Sequence, residues 1–109
     1  MKGIIWAYTS RKIGKMRLEV LVDEYKKLQI GIARSRINAQ TLWIEFDNGD
    51  EWEVVLASDT ARGRACNVSL IESCTPKDIV DEIILPCTKS YPYRAYNYYF
   101  TGTDMAYDL

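Results

Sequence analysis

An unbroken apolar run, Gly3-Ile4-Ile5-Trp6-Ala7-Tyr8, passes through Thr9-Ser10-Arg11-Lys12-Ile13-Gly14-Lys15-Met16 into a helical pattern that lasts to Leu28. No other stretch constrains the fold as much. The run is β-branched and aromatic and reads as a buried strand. Leu18, Leu21, Val22, Tyr25 and Leu28 recur at three- and four-residue steps, which predicts a helix over 15–28 with a single apolar stripe. Asp23 and Lys27 form an i,i+4 pair on it, and Gly31 is the expected stop. A strand, a Gly-Lys turn and a helix in direct succession predict the opening unit of an α/β layer arrangement.

The clearest hairpin signal comes next. Thr41-Leu42-Trp43-Ile44-Glu45-Phe46 and Glu51-Trp52-Glu53-Val54-Val55-Leu56 flank Asp47-Asn48-Gly49-Asp50, and Asn-Gly supplies the positive φ that a tight turn needs. A two-residue loop would pair Phe46 with Glu51 and Ile44 with Glu53, mixing apolar and charged side chains on one face. A three-residue loop keeps Leu42, Ile44 and Phe46 beside Trp52, Val54 and Leu56, and a one-residue slip flips whole faces. The odd loop length is therefore expected. Residues 29–40, with Arg34, Arg36 and Asn38, read as a polar connection.

Arg62-Gly63-Arg64 reads as a turn and Asn67 to Glu72 as a further strand. Thr75-Pro76-Lys77-Asp78 starts a second helix, with Thr as N-cap and Pro at the first helical position. Ile79, Val80, Ile83 and Ile84 face inward, and Pro86 ends the helix. The predicted fold is a single α/β domain over 1–90 with a small mixed sheet, elements in β-α-β-β-β-α order, and two helices. A Tyr-rich tail over 91–109 follows, with room for a short strand at 97–101.

Composition narrows the chemistry. The chain has 109 residues, 14 basic and 15 acidic, for a net charge of −1, so it exerts no global pull on nucleic acid. It contains no His, which removes the usual general base and metal ligand together. Cys66, Cys74 and Cys87 show no C-x-x-C spacing and read as reduced thiols, Cys66 and Cys74 as small core fillers. No apolar run approaches membrane-spanning length and no signal-peptide layout opens the sequence, so a cytoplasmic protein without membrane contact is expected.

A turn of the form G-x-x-x-x-G-K-[ST] wraps backbone amides around phosphates at a helix N-terminus. Ser10, Arg11, Lys12, Gly14 and Lys15 are the corresponding candidates for binding a phosphate-bearing anion such as ATP. Arg11, Lys12, Lys15 and Arg17 also crowd the start of the helix. Each is disfavoured there by roughly 0.3–1 kcal/mol, and a bound anion would offset that cost. Two positions depart from the pattern: Thr9 replaces the first Gly, and Met16 replaces the hydroxyl that holds Mg²⁺.

The order of motifs over roughly residues 3–87 resembles a shortened ATPase core of phage large terminase subunits. Ser10-Arg11-Lys12-Ile13-Gly14-Lys15 is similar to their P-loops. Phe46-Asp47-Asn48-Gly49, Arg62-Gly63 and Val68-Ser69-Leu70-Ile71-Glu72-Ser73 follow in the family's order. The resemblance implies a degenerate P-loop-like first half and a phage or prophage origin, with a bacterial host cytoplasm as the location. It puts Glu72 at the Walker B position, where it could approach a metal. Ser73 stands where the catalytic Glu would be and cannot serve as a base for water. Hydrolysis is therefore expected to be absent or very slow.

That leaves a binding role as the expectation. The preferred form is a small non-catalytic phage protein that engages a host or phage protein, with inhibition of a host defence system as the concrete version. Its expected partner surfaces are the acidic hairpin (Glu45, Asp47, Asp50, Glu51, Glu53) and the Tyr-rich tail (Tyr93, Tyr96). One alternative is an NTP-binding relative of packaging motors with residual ATPase activity. The other is a nucleic-acid-binding accessory protein using local basic residues, among them Arg34 and Arg36. Trp6, Trp43 and Trp52 are candidate base platforms, with core packing favoured for Trp52.

Overall fold

A computed structural model describes residues 1–58, 61–99 and 105–106. The chain forms β1 (Lys2–Ala7), α1 (Arg11–Lys27), β2 (Ile32–Ile37), β3 (Leu42–Phe46), β4 (Glu51–Leu56) and β5 (Val68–Glu72). A second helix, α2, begins at Lys77–Ile79, widens into a π-helical stretch at Val80–Ile84 and closes at Leu85–Cys87. Strands β6 (Arg94–Tyr98) and β7 (Met105–Ala106) follow. The seven strands of the described residues join one mixed sheet in the order β2-β3-β4-β1-β5-β6-β7. The expected α/β class, mixed sheet and two helices are present.

The parallel centre of the sheet is β4-β1-β5-β6, and β2-β3 and β7 add antiparallel edges. β1 is buried along all but its first residue because both of its faces are covered. Ile5 and Ala7 pack with Leu18 and Leu21 of α1, together with Phe46, Trp52 and Val54. Ile4 and Trp6 pack with Val80, Ile83 and Ile84 of α2. One helix therefore covers each face. The chain leaves β1 toward β4 over one face and leaves β5 toward β6 over the other. The two connections part between β1 and β5, at the carboxyl ends of these strands, where open α/β sheets form their crevices.

Several expectations are corrected. Helix α1 starts at Arg11, not at 15, so Gly14 and Lys15 are helical rather than part of a wrapped loop. Gly14 is there for packing: a Cβ on it would meet Val54 Cγ1 at 2.4 Å and Ala7 Cβ at 3.1 Å. The helix ends before Gly31, with Gln29 in the left-handed region at φ 62° and Ile30 N–H donating to the Tyr25 carbonyl. The expected polar connection 29–40 contains β2, which pairs with β3. The observed order is thus β-α-β-β-β-β-α-β-β. Pro76, not Thr75, caps α2, and the Thr75 hydroxyl donates to the Glu72 carbonyl.

The hairpin register is as expected. Ile44 lies opposite Trp52, and a three-residue turn closes with Phe46 N–H donating to the Asp50 carbonyl. Leu56 departs from it and is exposed. The stretch set apart as a tail supplies β6, paired in parallel with β5, while 100 and 101 of the expected strand 97–101 lie outside the described residues. Tyr98 is buried and its hydroxyl donates 2.8 Å to the Trp6 carbonyl.

Candidate anion-binding site

Because β3 and β4 are antiparallel while β4 and β1 are parallel, the two ends of the hairpin fall on opposite edges of the sheet. The acidic turn 47–50 lies near the N-terminus, whose ammonium sits 3.5 Å from Asp50. The connection 38–41 lies on the carboxyl edge, beside the start of α1. Asn38 shapes this connection, its side-chain oxygen accepting the amides of Gln40 and Thr41 at 2.8 and 2.7 Å.

Between that turn and α1 lies a hollow of about 420 Å³, lined by Arg11, Lys12, Lys15, Ile37, Asn38, Ala39 and Leu42. Three cations share its wall. Among the described residues none of the three forms an ion pair, and Arg11 Nη2 is buried without a hydrogen-bond partner. The first turn of α1 holds no acid, and Ser10 makes no side-chain cap. Its leading amides are therefore left for an external acceptor, and their partial positive charge adds to that of the side chains. A buried guanidinium nitrogen without an acceptor is costly. The arrangement is complementary to an anion.

The structure thus brings Arg11, Lys12 and Lys15 to one hollow, with Ser10 at the helix start. Gly14 is buried against the sheet and lies outside the lining. The amide of Thr9 and its hydroxyl donate to the Glu72 carboxylate, at 3.3 Å and at 2.9–3.0 Å, and the Cys74 thiol donates to it at 2.6 Å. Glu72, the residue given to a metal by the resemblance, is buried and turned onto these donors. Among the described residues no three His, Cys, Asp or Glu side chains converge on a metal-sized site. Cys74 is exposed rather than a core filler, and its hydrogen bond to Glu72 raises its pKa and keeps the thiol protonated.

The acidic hairpin does not present a bare carboxylate surface. Glu45 accepts Arg34 through two bonds, at 2.8 and 3.0 Å, which holds its carboxyl below the usual range. Glu53 accepts Arg64 at 2.9 Å and Glu51 accepts the Trp43 indole at 3.1 Å. Asp50 accepts the Tyr25 hydroxyl at 2.7 Å, and Asp47 lies exposed in the turn. Tyr93 is exposed and packs edge-on to Tyr91, whereas Tyr96 packs toward the α1 side of the core. Trp6 and Trp52 are core residues that donate to Ser69 and Tyr25. Only Trp43 of the three tryptophans is half-buried. Nothing in the sequence marks Asn38 or Thr41 as a site residue. Their Asn-x-x-Thr spacing between two strands is the signal that could have placed them at a turn.

No family model matches this sequence, and comparisons with curated proteins and with solved structures find no match. No described helix is long and apolar enough to cross a membrane.

Proposed function

We propose that this protein is a non-catalytic binding domain that takes a phosphate-bearing ligand in the hollow at the start of α1. The observation that carries the reading is Arg11, whose Nη2 is buried and unpartnered beside Lys12 and Lys15. The contrast with the hairpin supports it. Four of the five hairpin acids considered (Glu45, Asp50, Glu51 and Glu53) are satisfied internally, whereas among the described residues Arg11, Lys12 and Lys15 form no ion pair and Arg11 Nη2 has no hydrogen-bond partner.

The non-catalytic part rests on the same lining. Among the described residues it offers positive charge, an amide side chain and three apolar residues, with no carboxylate or imidazole to take a proton from water. Met16 and Ser73 supply neither a metal-holding hydroxyl nor a base. The descent from a terminase-like core, with its phage origin, belongs to the same proposal and draws its support from motif order alone.

The test is a thermal-shift titration with inorganic pyrophosphate and with ATP in the absence of Mg²⁺. Ligand that binds only the native state raises the melting temperature. The rise is expected in the wild type, to weaken with added NaCl, and to vanish in the Arg11→Ala/Lys15→Ala variant. No rise in the wild type would overturn the proposal. Phosphate release from Mg-ATP above background would overturn its non-catalytic half.

A further inference from the structure

We infer that the ligand is a single-stranded polynucleotide, whose backbone follows the carboxyl edge of the sheet from α1 to β3 and whose base stacks on Trp43. The inference deepens the anion-binding reading and rests on it.

The cationic hollow is the first of three that share walls. A second, of about 250 Å³, shares Arg11 and Leu42 with it and reaches Thr41 and Arg64. A third, of about 230 Å³, shares Thr41 with the second and is lined by Arg36, Thr41 and Trp43. The three form a track around the 38–41 turn with a cation in every segment. A single phosphate group needs one such hollow. A series of cationic hollows in line fits a chain of phosphates. Among the described residues the track's one acid, Glu53, is already bonded to Arg64.

The end of the track distinguishes a nucleic acid from other polyanions. Trp43 stands on the sheet face that α2 leaves uncovered, half-buried, with its indole nitrogen anchored to Glu51 at 3.1 Å. The Arg34 guanidinium lies 5.9 Å from the ring centre and is itself held by Glu45. A fixed aromatic ring at the end of a cationic track is the pairing used for single strands, where any base can stack. A duplex keeps its bases stacked on one another and gains nothing from the ring. The net charge of −1 makes binding depend on this local track.

Intrinsic fluorescence tests the inference directly. Trp6 is 0% and Trp52 4% exposed, so quenching by a ligand reports on Trp43. The probes are dT12, U12 and a 12-base-pair duplex, with pyrophosphate as the small-anion control. Quenching by the single strands is expected, with a log–log salt slope of roughly −3 if Arg11, Lys12, Lys15 and Arg36 each meet a phosphate. The dT12 and U12 arms show which backbone sugar is preferred. Trp43→Ala is expected to weaken binding about 10-fold, read by fluorescence anisotropy of a labelled strand, while Trp43→Phe retains it. Unchanged circular dichroism certifies that the variants fold.

If pyrophosphate binds through Arg11 but the strands bind no tighter and leave Trp43 unquenched, the polynucleotide inference falls and the anion reading stands. Tighter binding of the duplex than of either strand also overturns it. If neither pyrophosphate nor the strands bind, both readings fall.

Discussion

Thr9 and Glu72 hold one another across the carboxyl edge of the sheet, with the Thr9 hydroxyl 2.9 Å from Oε1 and 3.0 Å from Oε2. Under the proposed terminase-like descent, Thr9 would stand in place of the first Gly of the P-loop and Glu72 at the Walker B position. Together they close the gap between the loop after β1 and the end of β5, where the two helical connections part. A crevice is expected at that point of an open α/β sheet, and here a buried carboxylate and its donors occupy it.

That pairing sets the cost of removing the hydroxyl. Glu72 is 2% exposed and depends on Thr9 and Cys74 for its side-chain donors. Thr9→Ala leaves a buried carboxylate short of a partner and is expected to lower stability by about 1–3 kcal/mol. Thr9→Ser keeps the hydroxyl and most of the stability. Urea unfolding at pH 7 measures both, and a Thr9→Ala variant as stable as the wild type would show that the contact holds nothing.

Gly14 separates a packing role from a ligand role. A Cβ at this position falls 2.4 Å from a methyl of Val54, a stiff β-branched residue in the sheet. Gly14→Ala gains up to about 1 kcal/mol in helix propensity but is expected to lose more, since overpacking costs roughly 1–3 kcal/mol. The expected net result is a lower melting temperature with unchanged pyrophosphate affinity, and Gly14→Ala/Val54→Ala relieves the clash itself. A Gly needed for close approach to phosphate would give the reverse pattern, weaker binding at unchanged stability.

These residues show what the sequence made legible and what it hid. The hairpin register was legible because only an odd loop keeps Ile44 and Trp52 on one face, and burial enforces that choice. β2 was hidden for two reasons. All six of its residues are exposed, so no apolar alternation marks it, and a bulge between Ile32 and Arg34 breaks the period-two pattern. The bulge lets Ile32 and Ile37, an odd number of residues apart, pair with Phe46 and Leu42 on the same face of β3. The start of α1 is hidden because a Gly among cations reads as loop, and the Val54 side chain whose approach requires a Gly at position 14 lies 40 residues away. The cations themselves were found by charge. The turn that completes their hollow was not, since nothing in the sequence brings residues 38–41 to Arg11.

Tyr25 gives the domain a dependence on alkaline pH. Burial, together with its bond to Asp50, pushes its hydroxyl up to about 12 from an ordinary value near 10, and the Trp52 indole donates to the same oxygen at 3.0 Å. The folded state therefore favours the protonated phenol. That stabilisation is complete below pH 10 and is lost as the pH rises from about 10 through about 12, because the unfolded chain ionises first. Tyr25→Phe lacks the titration and also loses both hydrogen bonds. The stability difference between wild type and Tyr25→Phe, from urea unfolding, is expected to be constant from pH 7 to 9 and to shrink between pH 10 and 12. Difference absorbance at 295 nm should assign the missing ionisation to this residue. A difference that stays level through pH 12 would mean that Tyr25 ionises as readily in the folded state as in the unfolded chain.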